Sequence, residues 1–222
     1  MKRSLIIKAC FAIAAFAFTS SLLLAQTKFG ITAGGNVSSI SSKPSSTINT
    51  TGGIVGYQAG FFISKRIKKF SIVPEFLVIS KGGKIEVIYS SPQGATNLKS
   101  VDQLTYAQLP LTVYYTLPFK KSNVLVGGGG YYALALNGNE KSNGLLFGAA
   151  VNSQERDLNF GEGNFFSKSD AGLRACVSST VGRFNFTLSQ DWGLTNLLAS
   201  SNGYPEMHSR ALQLSLAFNF FK

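Results

Sequence analysis

The chain has 222 residues, 45% of them apolar and 14% charged, with a formal net charge of +11. Two cysteines and one histidine are too few for a zinc site built from those residue types. Abundant glycine (23), phenylalanine (18) and tyrosine (8) point to β-structure, and few segments read as helix.

The first 25 residues stand apart from the rest. Lys2, Arg3 and Lys8 form a basic start, Ala9 to Phe18 an apolar run, and Ser20 to Ala25 leads to Gln26. This is the layout of a secretory signal peptide over 1–25, with cleavage expected after Ala25. The run is interrupted by Thr19, Ser20 and Ser21 and falls short of the roughly 20 residues a spanning helix needs. Cys10 lies too early for a lipid-attachment site. Removing 25 of 222 residues leaves a 197-residue domain, 26–222. It retains Cys176 alone, so no intrachain disulfide can form, and His208. Three of 21 basic residues and none of the ten acidic ones go with the signal, so the charge falls to +8. For an exported chain, an anionic membrane surface is a better partner for that charge than nucleic acid.

Period-2 alternation then recurs along the chain. From Lys28 to Ser38, Phe29, Ile31, Ala33 and Val37 oppose Thr32, Asn36 and Ser38. From Ile54 to Ser64, Val55, Tyr57, Ala59, Phe61 and Ile63 oppose Gly56, Gln58, Gly60 and Ser64. Phe70 to Lys81 is apolar on both faces apart from Glu75 and its end residues. Tyr106 to Leu117 alternates cleanly, with Gln108, Thr112 and Tyr114 on the second face. Val124 to Leu136 carries four glycines, Gly127 to Gly130, which permit close backbone approach and curvature. In Ser169 to Val181, Leu173 and Val177 oppose Asp170, Gly172, Arg174 and Ser178. In Arg183 to Trp192, Phe184, Phe186, Leu188 and Trp192 oppose Asn185, Thr187, Ser189 and Asp191. In the last segment Leu212, Leu214, Leu216, Phe218 and Phe220 oppose Ala211, Gln213, Ser215, Ala217 and Asn219.

These segments predict an all-β chain: a single antiparallel up-and-down transmembrane β-barrel of about eight strands in the outer membrane. Short connections (Lys65–Lys69, Phe119–Asn123, around Gly182) alternate with long ones (Ser39–Thr51, Gly82–Gln103, Asn137–Asn164, Thr195–Met207), as in outer-membrane barrels. A soluble ligand-binding barrel would turn the apolar face inward. Small residues on the polar faces and aromatics near strand ends favour apolar-out. Pro74 and Pro110 sit inside strands and cannot donate to a ladder, so gaps or bulges are expected there. The short turns are basic, through Lys65, Arg66, Lys68, Lys69, Lys120, Lys121 and Arg183. They read equally as solvated turns and as contacts to lipid phosphates.

Several stretches resemble the PorT-like outer-membrane β-barrel family of Bacteroidota: Lys28-Phe29-Gly30 with Gly34-Gly35-Asn36, Pro74-Glu75-Phe76 through Lys81-Gly82, Leu104-Thr105-Tyr106 through Leu109-Pro110-Leu111, Asp170-Ala171-Gly172, and Gly193-Leu194-Thr195-Asn196. Their order covers nearly the whole domain. The resemblance implies fold and location, makes both strand prolines regular features, and ties one branch of the family to protein secretion and gliding. The chain departs from the family pattern at Gln108, often Glu, and at Tyr114, often Lys.

The candidate lumen network is Glu75, Gln108, Asp170, Arg174 and Asp191, with Lys81 beside it. An eight-stranded interior is filled by side chains, and charges there must be paired. The expected pairing is Glu75 or Asp170 with Arg174. No catalytic, cofactor or metal site is expected. His208-Ser209 lacks an acid to orient it, Gly127–Gly130 is not followed by a phosphate-binding Lys, and Asn137 to Glu140 lacks regular acidic spacing. The expected role is a structural or partner-binding envelope component, partnered by outer-membrane lipid and an envelope or secretion-system protein. Alternatives are a narrow solute channel or a soluble ligand-binding barrel. The apolar stretch Leu145 to Val151 is expected to extend strands or cover the barrel mouth, with contact to a partner as the third reading, and the long loops are the expected binding surface.

Overall fold

The computed structural model describes residues 27–42, 48–92, 94–118, 123–161, 164–199 and 205–220. The signal-peptide expectation, 1–25, lies outside them.

Ten strands form one antiparallel sheet: β1 (Thr27–Ser42), β2 (Ile48–Gly52), β3 (Ile54–Ile67), β4 (Phe70–Ser91), β5 (Gly94–Pro118), β6 (Asn123–Leu146), β7 (Ala149–Asp157), β8 (Ser169–Val181), β9 (Phe184–Gly193) and β10 (Met207–Asn219). Eight of them close a ring, β1-β3-β4-β5-β6-β8-β9-β10, with β10 pairing back onto β1 through Gly30↔Asn219 to Ser42↔Met207. Every neighbour in the ring is antiparallel and adjacent in chain order once β2 and β7 are set aside. Closure leaves no ladder edge in the barrel wall.

The alternation sets the two faces. Ile31, Val55, Phe61, Leu111, Val177, Leu188 and Leu214 point outward and are exposed, whereas Thr32, Gln58, Thr112, Arg174, Ser189 and Gln213 are buried inside. A soluble barrel would show the reverse. The apolar inward residues of β4 explain why that strand reads as apolar on both faces: Val73, Leu77 and Ile79 all pack inside.

Three connections read from sequence as loops carry strands, among them Ser39–Thr51, where β1 runs on to Ser42 and β2 begins at Ile48. Gly82 to Gln103 continues β4 and β5 as a ladder from Gly82↔Gln103 to Ser91↔Gly94. Asn137 to Asn164 continues β6 and returns as β7, with Leu145 and Leu146 paired to Ala150 and Ala149. Its two-residue turn, Phe147-Gly148, has both φ angles positive (51° and 79°), the twist that suits a tight hairpin. The stretch from Leu145 therefore extends strands, one of its expected roles. The outer halves of β4, β5 and β6, flanked by β2 and β7, make a five-stranded blade rising from one side of the barrel.

Both strand prolines sit beside gaps in the ladder. Between β4 and β5, pairing stops after Pro74↔Leu111 and resumes at Leu77↔Gln108, leaving Glu75, Phe76, Leu109 and Pro110 unpaired across that seam. Between β3 and β4 it breaks between Phe62↔Glu75 and Lys65↔Ile72.

The interior is layered. An apolar cluster of Phe62, Val73, Tyr114, Cys176 and Ala217 lies toward the short turns. A larger one, including Ile40, Ile79, Ile85, Leu104, Tyr106, Phe166, Leu197, Leu198 and Met207, fills the loop-side mouth. Phe166 and Leu198 come from the segments after β7 and β9, which fold inward as a cap and meet through an isolated bridge.

Candidate functional site

The polar groups of the lumen form two layers between those apolar clusters. In the central layer, Arg174 on β8 meets Asp191 on β9 in a fork: Nε donates to Oδ1 at 2.7 Å and Nη2 to Oδ2 at 2.9 Å. The two residues are direct cross-strand partners, so the register itself sets the fork. Gln108 and Gln213 both donate to Asp191 Oδ2, at 2.9 and 2.6 Å, and Gln213 Oε1 accepts from Arg174 at 3.1 Å. Glu75 approaches Arg174 only to 3.5 Å. This layer thus holds two carboxylates around one guanidinium. Such a charged fork is stronger than a neutral hydrogen bond and tolerates burial because the Asp191 carboxylate accepts four hydrogen bonds.

The second layer lies nearer the loops. Lys81 Nζ donates to Asp170 Oδ2 at 2.8 Å, with Lys81 2% and Asp170 0% exposed. Ser209 Oγ donates to the same oxygen at 2.8 Å, Tyr131 OH at 3.2 Å, and Thr195 Oγ1 donates to Oδ1 at 3.2 Å. The ammonium sits over the rings of Tyr106 and Tyr131, 5.0 and 4.6 Å from their centroids. Ring faces carry partial negative charge and support a buried cation.

All five residues of the expected network face the lumen, but they divide between the layers. Arg174 takes Asp191 and Glu75, and Asp170 takes Lys81 instead of Arg174. Where the related pattern often has Glu, Gln108 serves as a donor to Asp191, and Tyr114 packs in the turn-side apolar cluster. Sequence reasoning did not place Gln213, Tyr131, Ser209 or Thr195 in the lumen network. The first was visible as the longest polar side chain on the inward face of β10. His208 and Ser209 point to opposite faces: Ser209 joins Asp170, while His208 Nδ1 lies 3.1 Å from Thr195 O. Gly127–Gly130 lies within β6, and so does Asn137–Glu140, where Glu140 pairs with Arg156 at 2.6 Å.

Toward the short turns the lumen opens into a cavity of about 150 Å³, lined by hydroxyl and amide groups including Ser64, Ser71, Ser178, Thr187 and Asn219, with Glu75 at its inner end. The polar layers and the apolar cap separate it from the loop side. Among the described residues no cluster of three His, Cys, Asp or Glu could hold a metal ion. No helix among them is long and apolar enough to cross a membrane.

The family model described as "outer membrane protein beta-barrel domain" matches residues 24–199. No curated protein matches the chain. Among solved structures, Ail, the attachment invasion locus protein of Yersinia pestis, solved with the heparin analogue sucrose octasulfate, is 10% identical, with 88% of this chain and 100% of Ail covered and a TM-score of 0.44. Neisserial surface protein A (NspA) is 12% identical, with the same coverages and a TM-score of 0.44. The translocator domain of the autotransporter NalP from Neisseria meningitidis is 10% identical over 99% of this chain and 98% of that one, with a TM-score of 0.31.

Proposed function

Because this chain belongs to the outer membrane protein β-barrel domain family and lies in the outer membrane, we propose that it serves there as a partner-binding envelope component whose working surface is the β4–β7 blade. A place in a secretion assembly is part of the same proposal and rests on the resemblance to the PorT-like family. The observation that carries the reading is the edge of the blade. Among the described residues β7 pairs only with β6, so its second edge offers backbone donors and acceptors that no described strand takes up. Its outer part, Ala149 to Gln154, carries no charge, while Glu155, Arg156 and Asp157 stand at the barrel end. Charges on an edge discourage strand pairing, and their absence permits it. An extended segment of a partner protein would add there as a further strand.

A photo-crosslinking residue at Ala150, in cells, tests this. A discrete protein adduct there, absent from the lipid-facing position Phe186, is the expected result. No protein adduct at either position would overturn the reading. A soluble ligand-binding role is excluded by the outward apolar face and the family's location. A narrow channel would have to pass both ion-pair layers and the cap, so planar-bilayer conductance of the purified barrel is expected to stay at background.

A further inference from the structure

The turn-side rim carries charge of one sign. Lys65, Lys68 and Lys69 around the β3–β4 turn and Arg183 in the β8–β9 turn are half-buried or exposed, while Lys28 and Arg66 turn inward and line the turn-side cavity. The turn-side parts of the eight barrel strands, residues 27–33, 60–74, 110–118, 123–130, 175–188 and 212–220, contain no Asp or Glu. The blade side is balanced instead: Lys99 pairs with Glu86, Lys141 with Glu155 and Arg156 with Glu140. Segregation of this kind is not what ordinary solvated turns need.

A second observation fixes the depth of these cations. Outward aromatics stand at the same level: Phe29 at the start of β1, Phe70 after Lys69, and Phe184 after Arg183. Each of those rings meets another across the strand seam, Phe29 with Phe220 at 5.4 Å, Phe70 with Tyr115 at 5.2 Å and Phe184 with Phe218 at 5.4 Å. Aromatic girdles of membrane barrels lie at the interface, so cations just beyond them stand at phosphate depth.

We propose that this rim binds the head groups of anionic phospholipids in the periplasmic leaflet. Three cations outside the lumen, Lys65, Lys68 and Lys69, make the β3–β4 hairpin the main contact. An acidic periplasmic protein would use the charge but has no need of the aromatic ring at each station.

The full-length barrel, purified in mixed micelles of phosphatidylglycerol and phosphatidylethanolamine in equal amounts, provides the test by native mass spectrometry. Each Lys or Arg near an anionic surface strengthens binding roughly fivefold. Wild type is therefore expected to retain phosphatidylglycerol over phosphatidylethanolamine by on the order of tenfold or more. The variant Lys65→Gln/Arg66→Gln/Lys68→Gln/Lys69→Gln should lose most of that preference, and the blade variant Lys84→Gln/Lys99→Gln should keep the wild-type ratio. Heat-modifiable gel mobility confirms that each variant is folded. Equal retention of the two lipids by wild type, an unchanged ratio in the fourfold variant, or an equal loss in the blade variant would overturn the proposal. None of these readouts depends on the blade having a partner.

Discussion

Lys81 on β4 and Asp170 on β8 are separated by 89 residues in sequence and meet in the lumen at 2.8 Å. Neither reaches solvent, so each is the other's main source of charge compensation. Removing one partner strands the other, which typically costs about 3–5 kcal/mol, whereas replacing both by apolar residues costs far less. Asp170→Asn should therefore destabilise the barrel by about that amount, and Lys81→Met/Asp170→Leu by clearly less. Urea unfolding in lipid vesicles measures this through Trp192, the sole tryptophan, which lies exposed on the outer face. A double variant as unstable as the single would sink the argument.

The central layer ranks its two carboxylates. Asp191 takes the fork from Arg174 and two amide donors, while Glu75 stands 3.5 Å from the guanidinium and borders the cavity. Asp191→Asn should cost about 3–5 kcal/mol, and Glu75→Gln about 1 kcal/mol or less. The same unfolding assay checks the order, and equal costs would refute it.

The barrel was legible because its wall is built on a single repeating contrast. From Leu212 to Phe220 each apolar residue faces lipid and each partner faces the lumen, so burial follows the pattern residue by residue. The blade was not legible, for the same reason in reverse. Lys84, Lys99, Asn139 and Lys141 are exposed, and the inward positions of β4 and β5 mix Ile85, Val87 and Leu104 with Thr96 and Asp102, so no unbroken apolar stripe marks these strands. What holds them is the backbone ladder continuing out of the barrel. The ion pairs were half legible. Alternation placed Asp170, Arg174 and Asp191 on one face, but which acid meets which base depends on strand neighbours and stagger, which periodicity does not encode.

Gly129 tests the wall itself. A Cβ there would collide with the carbonyl oxygen of Leu111 on β5, whereas one at Gly128, on the outer face, meets only Arg174 O at 3.6 Å. Gly129→Val should block assembly of the heat-modifiable form, and Gly128→Val should leave it intact. A folded Gly129→Val barrel would show that the β5–β6 spacing can relax.

The ladder gap beside the two prolines should be visible in solution. Phe76 and Leu109 lie across the seam where β4 and β5 do not pair, while Val78 and Ala107 are paired. Amide exchange in micelles is expected to be faster at Glu75, which faces the unpaired seam, than at Leu77, which is paired to Gln108, since an amide outside the ladder opens without local unfolding. Equal protection would mean that the seam closes.

The blade should also respond to pH. Asp102 is 3% exposed on its inner face, and burial, followed by the neighbouring Glu140 carboxylate, pushes its pKa up to about 7. The folded blade then holds a proton that the opened chain, with an ordinary value near 3.8, releases. Over that interval the folded form binds more protons, so stability falls as pH rises, by at most about tenfold in the opening constant per pH unit, and stops falling above about 7. Asp102→Asn removes the titration while keeping the shape. Amide exchange over residues 94–105, corrected for intrinsic rates, should be slower in the variant than in wild type at about pH 8 and converge with it near pH 4. A difference that stays constant across that range would show that the carboxyl group does not titrate in the blade.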